Sequence, residues 1–328
     1  RDCLLSRGLG DVYKRQEYRS MSMGIALVNG VRSDPTPGAN GVCQGCGAPM
    51  TAKCGERNVW HWAHKGRRVC DPWWENEGEW HRSWKGHFPR ETHEVVRYDE
   101  TGEKHISDVL LPSGQVIELQ HSAMPPEESR SREKFYGNMI WIVDAEPFRK
   151  NIHIFDALPD PSEAFVSDLR FVPPRPEWRG SSVRREGFNS LMFFRRSERQ
   201  PDTDMQQLHS GREIAEHFPE TYRGHRLFLW IKPRTVWFQT TAPTFLDLGD
   251  GVIAALEPYG TWQDTFMCLR LLSKERLIAD ILGGADSNAW MKAVRRFRST
   301  ARMFPTGLSL LPAPTSKRNQ KPVVGVPE

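Results

Sequence analysis

The sequence predicts a mixed α/β protein, an α+β assembly built on a mixed sheet, and three observations carry that expectation. Between residues 73 and 156, strand-length apolar runs separated by turns sit between helix-spaced segments. Four cysteines and two histidines crowd residues 43–70, which points to a metal before a disulfide. Beyond a stretch rich in Pro, Gly and Arg, a second set of strand and helix patterns follows.

The expected organisation is an N-terminal extension (1–20), a metal-binding module (21–72), an αβββαβ core (73–156), a linker (157–190), a C-terminal α+β region (191–304) and a disordered tail (305–328). The opening RDCLLSRGLGDVYKRQ resembles translated adaptor read-through, so residues 1–16, with Cys3, are set aside and Met21 or Met23 is the expected start. Net charge +4 is mildly basic, which permits a nucleic-acid partner without requiring one. No apolar run reaches membrane-spanning length and no signal peptide is legible, so a cytoplasmic location is expected.

GIALVNG (24–30) reads as a short strand entering a turn. CQGC then offers two thiolates, Cys43 and Cys46, from a turn that Gly45 and Gly47 allow to close around an ion. Zinc takes four soft or borderline ligands, commonly as two separated pairs. The second pair comes from His61, His64 and Cys70. If HWAH is a strand, its two histidines point to opposite faces. That leaves His64 with Cys70, or His61 with Cys70, and Cys54 for packing.

From Trp73 to Phe88 the spacing of Trp73, Trp80 and Trp84 predicts a helix, with Gly78 its weak point. Three strands follow, His93–Tyr98, Lys104–Leu111 and 115–122, separated by DETGE and PSG turns. Pro125 and Pro126 open a polar helix, and NMIWIVDA is a short strand buried on both faces. In the C-terminal region a helix is expected near 212–218, strands at RLFLWI, TVWFQT and TFLDLGD, and a helix over TFMCLRLLSKERLIADIL. A turn explains Asp247 and Asp250 in FLDLGDG. A last basic helix, NAWMKAVRRFRSTARMF, puts Arg295, Arg298 and Arg302 on one face, where they could track a phosphate backbone.

The chemistry centres on SDVLLPSGQVIELQHS. Phosphodiester hydrolysis needs one or two divalent ions held by carboxylates, and magnesium takes only one or two of these from the protein. Asp108 lies on one strand, and Glu118 with Gln120 on the next strand's same face, because side chains alternate there. An acid from the preceding helix completes the set, with Glu79 the leading candidate and Glu75 and Glu77 its rivals. The helix-strand-strand-strand-helix-strand order is that of the restriction-endonuclease-like, or PD-(D/E)XK, fold.

The run CQGC, HWAHK, ENEGEWHRSWK, ISDVL, IELQHS, REKFY and MIWIVDA resembles the competence protein CoiA-like family of bacterial proteins over residues 23–146. The resemblance implies a zinc-binding N-terminal segment and a PD-(D/E)XK-type nuclease domain acting on single- or double-stranded DNA, in uptake or recombination alongside other DNA-processing proteins. It implies that Asp108 and Glu118 bind catalytic magnesium or manganese, that Glu79 is the helix acid, and that Arg132 and Tyr136 meet the substrate. Gln120 stands where the wider superfamily has lysine. A neutral amide can orient water but adds no charge, so Lys85, toward the substrate, or His81, His105 or His121 would have to supply it. A DNA-binding module with a degenerate site, or a zinc-bearing adaptor, would carry the same residues.

Overall fold

The structure, a computed structural model, describes residues 22–57, 59–66, 70–75, 77–172, 191–202, 205–217, 224–260 and 265–283. The adaptor-like extension, the basic last helix, the expected tail and most of the expected linker lie outside these residues.

Six short strands make the first sheet: β1 (Ser22–Met23), β2 (Ala26–Val28), β3 (Val31–Ser33), β4 (Asn40–Val42), β5 (Pro49–Lys53) and β6 (His61–His64), in the order β1-β6-β5-β4-β2-β3. Asn29 and Gly30, at φ 52 and 80, make the β2–β3 turn. A hairpin twisted in the usual sense favours this Asn-Gly pair. The sheet's small core is Met23, Ala26, Met50, Ala52 and Trp62, with Cys43 inside it.

Helix α1 (Glu79–Lys85) leads into β7 (His93–Tyr98), β8 (Lys104–Leu110) and β9 (Val116–Gln120), an antiparallel meander. Helix α2 (Pro126–Tyr136) crosses back to β10 (Met139–Asp144), which runs parallel to β9. Parallel neighbours need such a crossover. These strands match the expected ones to within a residue or two at each end. Helix α1 is shorter than expected, beginning only after Gly78. Upstream, Asp71 accepts the Trp73 amide and Trp73 stacks on His105, so the preceding segment wraps the sheet instead of coiling.

The third group of strands changes the expected domain plan. After β11 (Ile152–Ala157), a small sheet forms from β12 (Leu169–Phe171), β13 (Met192–Arg195) and β14 (His209–Ser210). Then β15 (His225–Trp230), β16 (Thr244–Asp247), β17 (Val252–Tyr259) and β18 (Phe266–Ser273) return to the large sheet. Its nine strands run β11-β15-β18-β17-β16-β10-β9-β8-β7, with β16 parallel to β10. The region expected to stand apart therefore supplies much of the sheet that carries the central strands. The physical reason is β10: all but its last residue are buried, so both its edges need partners.

Two C-terminal expectations are corrected. TVWFQT contains a short helix, α3 (Val236–Gln239), which seats Trp237 edge-on against Trp141; its aromatic and β-branched residues had suggested a strand. TFMCLRLLSKERLIADIL divides into β18 and helix α4 (Lys274–Leu282), with Ser273 capping α4 by accepting the Arg276 amide. A strand with apolar residues on both faces lacks alternation and reads as helix. Strand β17 was not anticipated. The expected helix near 212–218 is 3-10 over Gly211–His217.

Both faces of the large sheet are covered. Val116, Met139, Trp141, Val143 and Leu246 pack on the α2 and α3 side. Ile117, Leu119, Ile140, Ile142 and Phe245 pack against Trp84 of α1 and Leu277 and Ile281 of α4. No helix among the described residues is long and apolar enough to cross a membrane.

Candidate functional site

Two clusters of potential metal ligands occur among the described residues. The first is Cys43, Cys46, His64 and Cys70, whose ligand atoms all lie within 4.8 Å of one another. The CQGC turn holds its thiols by backbone bonds from the Cys43 amide to Ala48 and from the Gly47 amide to Cys43, with Gly47 at φ 70. His64 closes β6, its Nε2 3.4 Å from Cys46 Sγ, and Cys43 Sγ lies 3.6 Å from Cys70 Sγ. The Cys43 thiol is held below its ordinary range by the neighbouring Cys70 thiol, then by the amides of Cys46 and Gly45, against the effect of burial. Cys70 is pushed up correspondingly, by Cys43 and by burial. Such a set of donors could bind a metal ion such as zinc.

Because HWAH is a strand, only one of its histidines reaches this cluster. It is His64. His61 lies on the other face with Nδ1 2.9 Å from the Val59 carbonyl, and Cys54 packs beside the core.

The second cluster is Glu77, His81 and Asp108, with ligand atoms again within 4.8 Å of one another. Helix α1 sorts its residues by face. Trp80 and Trp84 turn to the sheet and donate their indole N–H groups to Asp247 Oδ2 at 2.9 and 2.7 Å. His81 and Lys85, also four apart, face Asp108. His81 Nε2 lies 2.9 Å from Asp108 Oδ1, and Lys85 Nζ lies 3.7 Å from the same oxygen. Lys85 also pairs with Glu77 and, at 3.4 Å, with Glu94.

Asp108 Oδ2 accepts the Leu119 amide at 2.9 Å, which ties the acid to the neighbouring strand. Burial works against its charge, but His81, then Lys85 and this amide, outweigh it and hold the carboxyl well below the usual range. Glu118 goes the other way. Burial, and then the Asp108 charge, push it up to about 8 despite the Arg132 guanidinium. Its Oε2 accepts from Arg132 Nη1 at 3.0 Å, and its Oε1 lies 3.4 Å from the Asp108 amide. Lys85 is raised above its ordinary value, since Glu77, Glu94 and Asp108 outweigh its burial.

The expected site residues do not all meet. Asp108, Glu118 and Lys85 line one small cleft with Glu75, Glu77, His81, Glu94 and Arg132. Its free space is about 30 Å3, room for one or two waters. Glu79 is exposed at the start of α1 and does not line the cleft; Glu77, one of its rivals, does. Gln120 is buried and gives its amide N–H to Glu75 and, at 3.2 Å, to Ser122 Oγ. That fastens the segment before α1 to β9.

Arg132 and Tyr136, expected to meet substrate, are 4% and 5% exposed. Arg132 is spent on Glu118, Glu128 and the Trp73 carbonyl, and Tyr136 packs edge-on against Trp73. Of the other candidate cations, His105 bonds Asp71 and Glu103 while His121 pairs with Glu75 at 2.9 Å.

Two acids that sequence reasoning missed join the clusters. Asp71, next to Cys70, accepts the Ile106 amide at 2.7 Å and His105 Nδ1 at 2.9 Å, on the strand that carries Asp108. Glu94, at φ 49, accepts the Gly24 and Ile25 amides at 2.9 and 3.0 Å, while its carbonyl accepts from Gln44 and Arg32. Adjacency to a ligand was the available signal for Asp71. Glu94 had none, since the Gly24 and Ile25 amides that its carboxylate accepts are about 70 residues away.

Comparison with family models, with characterised proteins and with solved structures finds no match for this chain.

Proposed function

We propose that this chain is a metal-dependent nuclease of PD-(D/E)XK type that hydrolyses phosphodiester bonds in DNA, with zinc in its Cys/His site. The observation that supports it best is the cleft itself. A half-buried Asp108, held ionised by His81 and Lys85, shares it with a raised Glu118, a buried Lys85 and a mixed carboxylate–imidazole set. Perturbed carboxylates of opposite sense in one cleft are what acid–base chemistry needs.

Glu77, His81 and Asp108 would hold the divalent ion. When bound, it would polarise the phosphate and make water a better nucleophile. Lys85 supplies, from α1, the positive charge that Gln120 cannot supply from β9. It stays charged there because three carboxylates face it. Glu118, raised by burial and by the Asp108 charge, is the carboxyl suited to give a proton to a departing oxygen, while Arg132 fixes its orientation. Gln120 acts through Glu75, holding the acidic segment against the sheet. The resemblance to the CoiA-like family adds the DNA substrate and its setting in uptake or recombination.

Purified protein incubated with labelled single- and double-stranded DNA and Mg2+ or Mn2+ tests this. Cleavage that disappears in Asp108→Asn is expected. Cleavage that persists in Asp108→Asn, or none with either metal, would overturn the catalytic reading. One observation favours a binding-only reading: Gln120, where a lysine would orient the attacking water, is a neutral amide bonded to Glu75 and Ser122. DNA retention without cleavage would favour it.

A further inference from the structure

We propose that the Glu77–His81–Asp108 set is selective, taking a nitrogen-accepting divalent transition metal of the Mn2+ class in preference to Mg2+. This rests on the reading of the cleft as a metal-dependent site and names the ion that it selects.

The donor set carries the argument. One of its three ligand atoms is an imidazole nitrogen, and all three come together within 4.8 Å from the segment before α1, from α1 itself and from β8. Magnesium prefers oxygen donors and keeps most of its water, so it gains little from His81. Transition metals bind imidazole well, and two accompanying carboxylates favour the harder members of that series. His81 is 3% exposed and its Nε2 already sits at 2.9 Å from Asp108 Oδ1, so little side-chain freedom is lost on chelation.

Charge points the same way. The cleft wall carries Glu75, Glu77 and Asp108, with Glu94 and Glu118 raised by burial, against the two fixed cations Lys85 and Arg132. That excess of carboxylate calls for a divalent ion in a space too small for a hydrated cluster. Lys85 also pairs with Glu94, so it keeps a partner if Glu77 turns to the metal.

The test uses the full chain, its Cys/His site loaded with zinc and excess removed. Mn2+ binding without DNA is followed by electron paramagnetic resonance, and Mg2+ is added as competitor. One cleft Mn2+ is expected, displaced only by Mg2+ in about 100-fold or greater excess. His81→Asn should weaken Mn2+ by at least about 10–100-fold, the cost of losing a mere outer-shell partner, and leave Mg2+ affinity nearly unchanged. Co2+ offers an independent readout, because its visible spectrum should shift when the nitrogen donor is removed. The same spectrum registers in His81→Gln should His81→Asn fail to fold.

Equal competition by Mg2+, Mn2+ affinity indifferent to His81, or no cleft Mn2+ because the Lys85 ammonium fills the site would each overturn the proposal. Cleavage supported equally by both metals would sink selectivity and leave the nuclease reading standing. Selective Mn2+ binding with no DNA cleavage would do the reverse.

Discussion

Lys85 sits among three carboxylates with 4% of its surface exposed, and its ammonium is what makes their burial tolerable. Removing one partner of a buried ionic group leaves uncompensated charge behind, at a cost of about 3–5 kcal/mol. Lys85→Met should therefore destabilise the protein by that order in urea denaturation, with or without DNA present. A loss under about 1 kcal/mol would mean that the acids relax into solvent. Asp108 fails differently: the isosteric Asp108→Asn removes one half-buried charge from an acid-rich cleft. It should leave the fold intact by near-ultraviolet circular dichroism while cutting cleavage by about 100-fold or more, the loss typical of a group that acts on transition-state charge.

Between elements, the two clusters are wired together. Asp71 carries the position of Cys70 to β8, and Glu94 carries that of β1–β2 and the CQGC turn to Lys85. Stripping zinc from protein loaded with it at the Cys/His site, or changing Cys46→Ser, should speed amide hydrogen exchange through β4–β6. Exchange at the Ile106 amide should quicken with it, whereas β9, β10 and β16 stay protected. Unchanged exchange at Ile106 would show that the modules are independent.

The small β12–β14 sheet has its own pH signature. His209 is raised above its ordinary value, first by Glu198 and then by Glu213, against burial. A histidine raised on folding stabilises fully below its unfolded pKa of about 6.5 and loses that contribution as pH rises through the folded value. The stability gap between the native protein and His209→Gln should hence be widest near pH 6 and shrink toward pH 9. A gap independent of pH would rule this out.

At the scale of the molecule, β16 closes the open edge of β10, and β17, β18, β15 and β11 continue outward from it. A chain ending at residue 172 keeps every cleft residue yet loses the partner for Trp141–Asp144. It should expose the face formed by Trp141, Val143 and Leu246's neighbours, bind a hydrophobic dye and lose sharp thermal unfolding. A cooperative transition in that fragment would restore the idea of a separable core.

Local spacing made much of this legible. Turn residues and alternation located β7–β10 and α2, and the CQGC turn with the strand geometry of HWAH narrowed the Cys/His ligands to pairs that included the observed one. Asp108 and Glu118 were legible because strand periodicity is a backbone property, present in any short window. What only tertiary structure decided were choices among equals. Glu77, not Glu79, lines the cleft because Gly78 starts the helix between them. His64, not His61, meets the cysteines because β6 buries that face. Arg132 turns inward to Glu118, Glu128 and the Trp73 carbonyl, and β16 joins β10 because a strand buried along nearly its whole length cannot leave an edge unpaired. In each case the deciding partner is distant in sequence, and its free energy exists only once the sheet has closed.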